Sequence, residues 1–419
     1  MPTTSRIVSL MAAMLLLGSS PAAELSQTGA DRNERYDEIN LEIEGIRELD
    51  LLAPINLSTK TREELRTETL TDLETDYPAV DRENDSRVLI AFGLIEPDRD
   101  LGELYGDLLG EQVAGYYDPG TDEMVVVSDD DPDAEISATN QITYAHETVH
   151  ALQDQHFDLE TFLDDRQEAS DDQSLAITSL IEGDATAAQI EFLIDSPSLL
   201  IDYMRESEAR GDSTEALDSA PAILTETLLF PYEQGQVFVT ALREEGGWDK
   251  VDAAFASLPA STEQILHPQK YLQGEEPVDV KLPDVAAALG TGWTAFDTNT
   301  MGEFQTSVIL NEGDVSSGDA EDAAEGWGGD RYTVVGTEDQ TVILWESVWD
   351  SDDDAQEFAN TLIEREEARL EQSSDESGST TTIESDQGIV EIEVSDDAVS
   401  YIFAPSQQLL DAVSALDAP

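Results

Sequence analysis

His146-Glu147-Thr148-Val149-His150-Ala151-Leu152-Gln153-Asp154 is the stretch from which the rest of the chain is read. The spacing predicts a helix. Residues four apart fall about 40° apart on one helical face and one turn along it, so His146 and His150 can reach the same metal ion. Glu147, about 100° round the same helix, faces the position where a metal-activated water would sit. Histidine is scarce, with four in 419 residues, so the pattern is a poor candidate for coincidence. The bland alternative is a surface helix carrying two unrelated histidines.

Two histidines need a third protein ligand. Glu182, in Leu180-Ile181-Glu182-Gly183-Asp184-Ala185, sits within an apolar helical pattern. There a carboxylate is costly unless paired or metal-bound. The small neighbours Gly183 and Ala185 are expected to let this helix pack closely on the first. Asp184 lies about 200° from Glu182 round a helix, so it serves behind the ligands or faces water. His156 competes, since His146-Glu147-x-x-His150-x-x-Gln153-x-x-His156 has metzincin spacing except for Gln153 where that pattern has Gly. If the helix runs on past Gln153, His156 lies about 9 Å beyond His150 along the axis and cannot reach the metal. Peptide hydrolysis also calls for a donor to the developing oxyanion. His267 is the candidate, with Tyr232 and Tyr144 as further options, each against an ordinary structural role.

The stretch 146–154 resembles the active helix of the thermolysin-like gluzincins, whose pattern is His-Glu-x-x-His-Ala-x-x-Asp. In that family a downstream helix supplies a Glu ligand, which corresponds to Glu182. The usual Asp four residues later is replaced by Thr186, leaving the partner of the metal-binding histidine unassigned. More broadly, the chain resembles a group of exported bacterial and archaeal metallopeptidases. That resemblance rests on Gly115–Pro119, His146–Leu159, Glu182–Ala185, Phe230–Gly235 and Ser261–Pro268. It implies one catalytic Zn²⁺, a peptide or protein substrate, Glu147 as general base, and an α+β fold with a mainly helical zincin-like catalytic domain.

Outward from the motif, Arg32–Leu109 reads as helical. Gly115–Val127 reads as a hairpin, either a core hairpin or the edge strand that pairs with an extended substrate in zincins. An acidic loop, Asp129–Asp133, precedes the helix at 136–155. Further helices follow at 173–193 and onward to Ser257, punctuated by Pro231 and Gly246-Gly247. Strands at 328–335 and 341–345, a helix at 354–370, an acidic low-complexity loop, strands at 388–394 and 398–403, and a terminal helix make a smaller α+β C-terminal domain. The expected division is 1–23, 24–290 and 300–419. Trp327, Trp345 and Trp349 read as core anchors of that last part, which has the pattern of two strand-strand-helix units.

The charge is extreme: 93 acidic against 20 basic residues, net −73, with Lys60, Lys250, Lys270 and Lys281 the only lysines. Acid spread through patterned segments reads as adaptation to multimolar salt, where charge is screened within about 3 Å. It excludes a basic face for nucleic acid, and leaves Ca²⁺ or monovalent cations as further ligands of the acidic surface. Met1–Ala23 has one Arg, an apolar run Ile7–Leu17 and small residues after it, the pattern of a signal peptide. The run is too short to span a bilayer. The expectation is therefore an exported, extracellular or envelope protein without disulfides, since Cys is absent. Asn56 and Asn84 begin glycosylation sequons. Two other function classes compete: a non-catalytic envelope or binding protein that keeps the metal site, and an acidic calcium-binding module. Intact Glu147 argues against the first, because a structural site needs no base.

Overall fold

The chain is α+β, and the computed structural model describes residues 30–112, 114–127, 136–162, 169–210, 215–313 and 315–416. The expected signal peptide and the loop Asp129–Asp133 lie outside the described residues.

The first part begins with α1 (Ala30–Arg47), β1 (Asn56–Lys60), α2 (Arg62–Asp76), α3 (Ala79–Ala91) and α4 (Leu101–Gln112). The hairpin follows as β2 (Gly115–Asp118) and β3 (Glu123–Val127), then the motif helix α5 (Ala138–Phe157). Strand β1 corrects the all-helical reading of 32–109. Asn56-Leu57-Ser58-Thr59-Lys60 lacks apolar alternation and is a strand because it pairs in parallel with β3. The sheet order β1-β3-β2 leaves β2 at an edge.

Next come α6 (Asp171–Asp195), α7 (Pro197–Arg210), α8 (Glu215–Ser219) and α9 (Ala222–Gly246). Helix α9 runs straight through Pro231, which the sequence suggested as a break. Phe230, Pro231 and Gly235 are all buried, and packing against α6 outweighs the one backbone donor that proline lacks. Helices α6 and α9 meet at two glycines. A Cβ on Gly183 would lie 2.2 Å from the Gly235 carbonyl, and one on Gly235 would lie 2.1 Å from the Ser179 oxygen. Gly183 thus admits α9, not the motif helix that the sequence suggested.

Short helices α10 (Trp248–Phe255), α11 (Thr262–Leu266), α12 (Pro268–Gln273) and α13 (Val285–Leu289) lead into the C-terminal part. There β4 (Thr294–Asn299), α14 (Gly302–Asn311) and α15 (Ser317–Ala324) precede the hairpin β5 (Trp327–Gly336) and β6 (Thr341–Trp349). Helix α16 (Asp352–Leu370), strands β7 (Asp375–Ser377), β8 (Thr380–Glu384), β9 (Ile389–Ser395) and β10 (Ala398–Ala404), and α17 (Gln407–Ser414) complete it. The segment read as an acidic loop thus contains β7 and leads into β8. The seven strands lie in the order β4-β5-β6-β10-β9-β8-β7, every pair antiparallel.

Alternation along β6 sends Ile343 and Trp345 into the main core and Val342 and Leu344 into a smaller one under α17, as a strand period of two requires. Trp327, Trp345 and Trp349 are buried, and the indoles of Trp327 and Trp345 both donate to the buried Asp330. The main core is continuous across both parts of the chain. Phe92 of α3 packs edge-on against Tyr332 and Trp345 of the sheet.

Candidate metal centre

Helix α5 is fixed at both ends. Ser137 caps its start, Glu206 of α7 accepts from the Ala138 and Thr139 amides, and Asp158 turns left-handed after its last residue. Because the helix continues to Phe157, His156 is carried away from the motif, and its Nε2 meets the Asp50 carbonyl oxygen at 2.8 Å. It takes no part in the cluster.

His146 and His150 turn their Nε2 atoms toward each other at 3.2 Å. Glu182 Oε2, reaching over from α6, is 3.2 Å from His146 Nε2 and 3.5 Å from His150 Nε2. Thus His146, His150 and Glu182 come together, and Glu147 stands beside them with Oε2 buried and without a partner among the described residues. The second oxygen of Glu182, Oε1, is likewise buried without one.

Burial opposes charge on His150, but the Glu182 carboxylate overrides it and holds the imidazole above its usual range. Burial works equally against the Glu182 carboxylate, and the two imidazoles keep it well below the ordinary value. Glu147 behaves differently. Burial pushes its carboxyl up, against the pull of both imidazoles and of the Tyr117 backbone N–H. Tyr232 lines the same cavity with its ring 6.2 Å from that of His146. Burial, reinforced by Glu182 and Glu147, pushes its phenol well above the usual range.

Behind the ligands lies a buried chain of hydrogen bonds that the sequence reading left unassigned. His150 Nδ1 lies 2.9 Å from Gln153 Oε1. An amide oxygen only accepts, so Nδ1 carries a proton and Nε2 is the nitrogen left facing the cluster. Gln153 Nε2 donates in turn to the Ile181 carbonyl and to Asp184 Oδ2, each at 2.9 Å. Asp184 Oδ1 accepts from Arg47 Nε at 2.7 Å, and Arg47 also binds Asp252. Asp184 therefore stands behind the cluster and not in water. In the sequence, Gln153 is visible only as an obstacle to a metzincin turn.

The cluster opens onto a cavity of about 440 Å³, whose walls include Leu109, Gly115, Thr143, Tyr203, Leu228 and Tyr232. Gly115 brings edge strand β2 to that wall. Asp154 accepts from the Tyr117 hydroxyl at 2.9 Å, tying α5 to β2.

Two expected oxyanion donors are elsewhere. Tyr144 is buried against Tyr36, with ring centroids 4.3 Å apart. His267 does not line the metal cavity. Its Nε2 donates to Glu303 Oε1 at 2.7 Å in a neighbouring cavity, so its assignment as a catalytic residue is corrected. A carboxylate 36 positions along the chain accounts for its placement. Of the three, only Tyr232 reaches the cluster.

Comparison with known proteins adds little about this site. A family model described as a domain of unknown function (DUF8575) matches residues 291–414, which hold most of the C-terminal part. No curated protein matches the chain. Among solved structures, a "putative hydrolase with a novel fold from Chloroflexus aurantiacus" is similar over 64% of this chain and 97% of its own, at 17% identity and a TM-score of 0.37. A likeness of that size carries no argument about fold or chemistry.

Proposed function

We propose that this chain is a zinc-dependent peptide hydrolase of the cell exterior, with His146, His150 and Glu182 as metal ligands and Glu147 as general base. One observation carries the reading. The three ligand atoms stand 3.2, 3.2 and 3.5 Å apart, and a tetrahedral site with bonds of about 2.0–2.1 Å has edges of about 3.3–3.4 Å. Two imidazole nitrogens and a carboxylate also form a donor set suited to zinc. Without a cation, two ring nitrogens face each other at 3.2 Å and a buried carboxylate oxygen goes unpaired.

Bound zinc supplies Lewis acidity, polarising a carbonyl and acidifying water toward neutrality. The chain's own groups do the rest. Glu147 Oε2, buried and unpartnered, takes the proton from the attacking water and delivers it to the departing amine. Its raised proton affinity suits that exchange. Tyr232 keeps its hydroxyl proton and donates to the developing oxyanion. An extended peptide lies in the cavity beside β2, the end strand of its sheet, whose Gly115 lines that cavity. Gln153 holds His150 in the tautomer that ligates. The unpartnered base in an open cavity favours this reading over a non-catalytic metal site. The N-terminal pattern supports export, and the charge supports work in concentrated salt.

The test is metal content and casein hydrolysis by the purified protein in about 2–4 M salt, where charge is fully screened. One zinc per chain with chelator-sensitive hydrolysis is expected. Glu147→Gln should keep the zinc and lose roughly 10²–10⁴-fold in rate. More than about a tenth of the activity retained would sink the general-base role, since such a base contributes at least that much.

A further inference from the structure

Glu303 and His267 belong to a second cavity, of about 560 Å³, which has one lining residue, Leu229, in common with the cavity of the His146 cluster. The arrangement follows from α9. Leu228 and Tyr232, four apart, face the metal cavity, while Glu226, Phe230 and Glu233, at spacings of three and four, face the other. Its walls carry Glu226, Glu233, Glu303, Glu321, Asp322 and Glu325, and among the described residues neither Lys nor Arg lines it, although the charge of Lys270 acts on Glu303. Phe230 and Phe304 lie together at its floor, ring centroids 4.0 Å apart.

Glu303 sets this cavity apart from the acidic surface in general. The residue is 4% exposed. Its Oε1 accepts a hydrogen bond from His267 Nε2, and its Oε2 is buried without a partner among the described residues. A buried carboxylate left short of a donor is destabilising, and a cation held among the wall carboxylates would offset its charge.

We propose that this cavity is a specificity subsite for an Arg or Lys side chain of the peptide substrate. The carboxylates take the charged head, and the two phenylalanines take the aliphatic stem or stack on a guanidinium. A divalent ion fits less well. Among the described residues, no three of these carboxylates bring ligand oxygens within 4.8 Å of one another, and the space suits a side chain more than an ion. The inference rests on the peptidase reading, since it supposes a peptide held at the adjoining metal cavity.

The experiment uses the full-length, zinc-loaded Glu147→Gln protein, so that bound peptides are not consumed. Alanine-based octapeptides carrying one Arg, moved through every position, are compared by calorimetry with the same set carrying citrulline, the uncharged isostere. Potassium chloride at about 1 M screens the general surface to about 3 Å while contact pairs in a half-enclosed cavity persist. At one or more positions Arg should bind about tenfold tighter than citrulline, the scale of a charged hydrogen bond made in a desolvated site. Adding Glu303→Gln and Glu233→Gln should erase that difference and leave the citrulline peptides unaffected. If that variant loses its fold, Glu321→Gln, Asp322→Asn and Glu325→Gln on the exposed wall should reduce the difference instead. Equal binding of Arg and citrulline at every position overturns the proposal. So does stoichiometric calcium binding that displaces the Arg peptides and disappears in the Glu303 variant. An Arg preference in a protein whose wild type hydrolyses nothing overturns the peptidase reading and leaves a cation-binding subsite standing.

Discussion

Replacing Gly183 by Ala adds one carbon where α6 and α9 touch, and it tests how Glu182 is positioned. The added Cβ would lie 2.2 Å from the Gly235 carbonyl, against an ordinary contact of about 3.4 Å or more. The obstruction is backbone, not a side chain that can swing aside, so the helices must separate by about 1.2 Å at the crossing. That strain belongs to the overpacking class, roughly 1–3 kcal/mol. Its effect on metal should be larger. Glu182 is the neighbour of the crossing residue, and ligand distances tolerate only about 0.2 Å of error. Zinc affinity should therefore fall at least tenfold while α5 keeps its own two histidines. The assay is zinc competition against a calibrated chelator in 3 M potassium chloride, where charge is screened to less than about 3 Å, with circular dichroism confirming helix content. Gly246→Ala is the control. Its Cβ would meet only a flexible lysine side chain, at 3.1 Å, so little should change. An unaltered zinc affinity in Gly183→Ala, with an unaltered melt, would refute the claim that the glycine crossing sets the third ligand.

The remaining predictions concern the ligand set, a buried acid and salt. Glu182→Ala should lose zinc, while His156→Ala, which breaks only a bond to the Asp50 carbonyl, should keep it; the opposite pattern in metal analysis would move the third ligand. Burial pushes the Asp172 carboxyl up to about 8, against its hydrogen bonds from Thr262. A raised folded pKa means stability that is complete below the unfolded value near 3.9 and is lost as pH climbs through about 8. Asp172→Asn should flatten the decline in stability between those limits, and denaturant midpoints with the same pH slope as wild type would refute this. Desalting below about 0.1 M should unfold the protein, since the screening length grows toward 30 Å at 0.01 M. Melts that stay flat from about 0.05 to 3 M would end the halophilic reading.

What was legible in the sequence was what helix geometry encodes locally. His146, Glu147 and His150 needed only the 3.6-residue period, and Glu182 betrayed itself as a carboxylate in an apolar helix. The alternation in β5, β6, β9 and β10 likewise announced strands, because one residue in two had to be buried on each face. What failed depended on partners distant in sequence. Asn56–Lys60 and Thr294–Asn299 carry no strong pattern of their own and are strands through their neighbours. Asp184 meets Arg47 across 137 positions, and Gln153 acquires its role only once α6 lies against α5.

The same distinction explains the two residues most misjudged, Gly183 and His267. A glycine in a helix announces that something approaches closely, but its own segment does not say what, and the approaching element was another helix more than 40 positions downstream. Histidine scarcity is equally a signal without an address. It drew attention to His146 and His150, whose spacing supplied a second constraint, and the structure brings the two side chains together. For His267 no such second constraint exists, and its side chain lies in the other cavity, on Glu303. A residue's type suggests a chemistry, and only an independent geometric relation between two residues assigns that chemistry to a place. On that criterion the pairing of Glu303 with His267, next to an unpartnered carboxylate oxygen in an acid-walled cavity, is stronger ground for a role than the histidine ever was by itself.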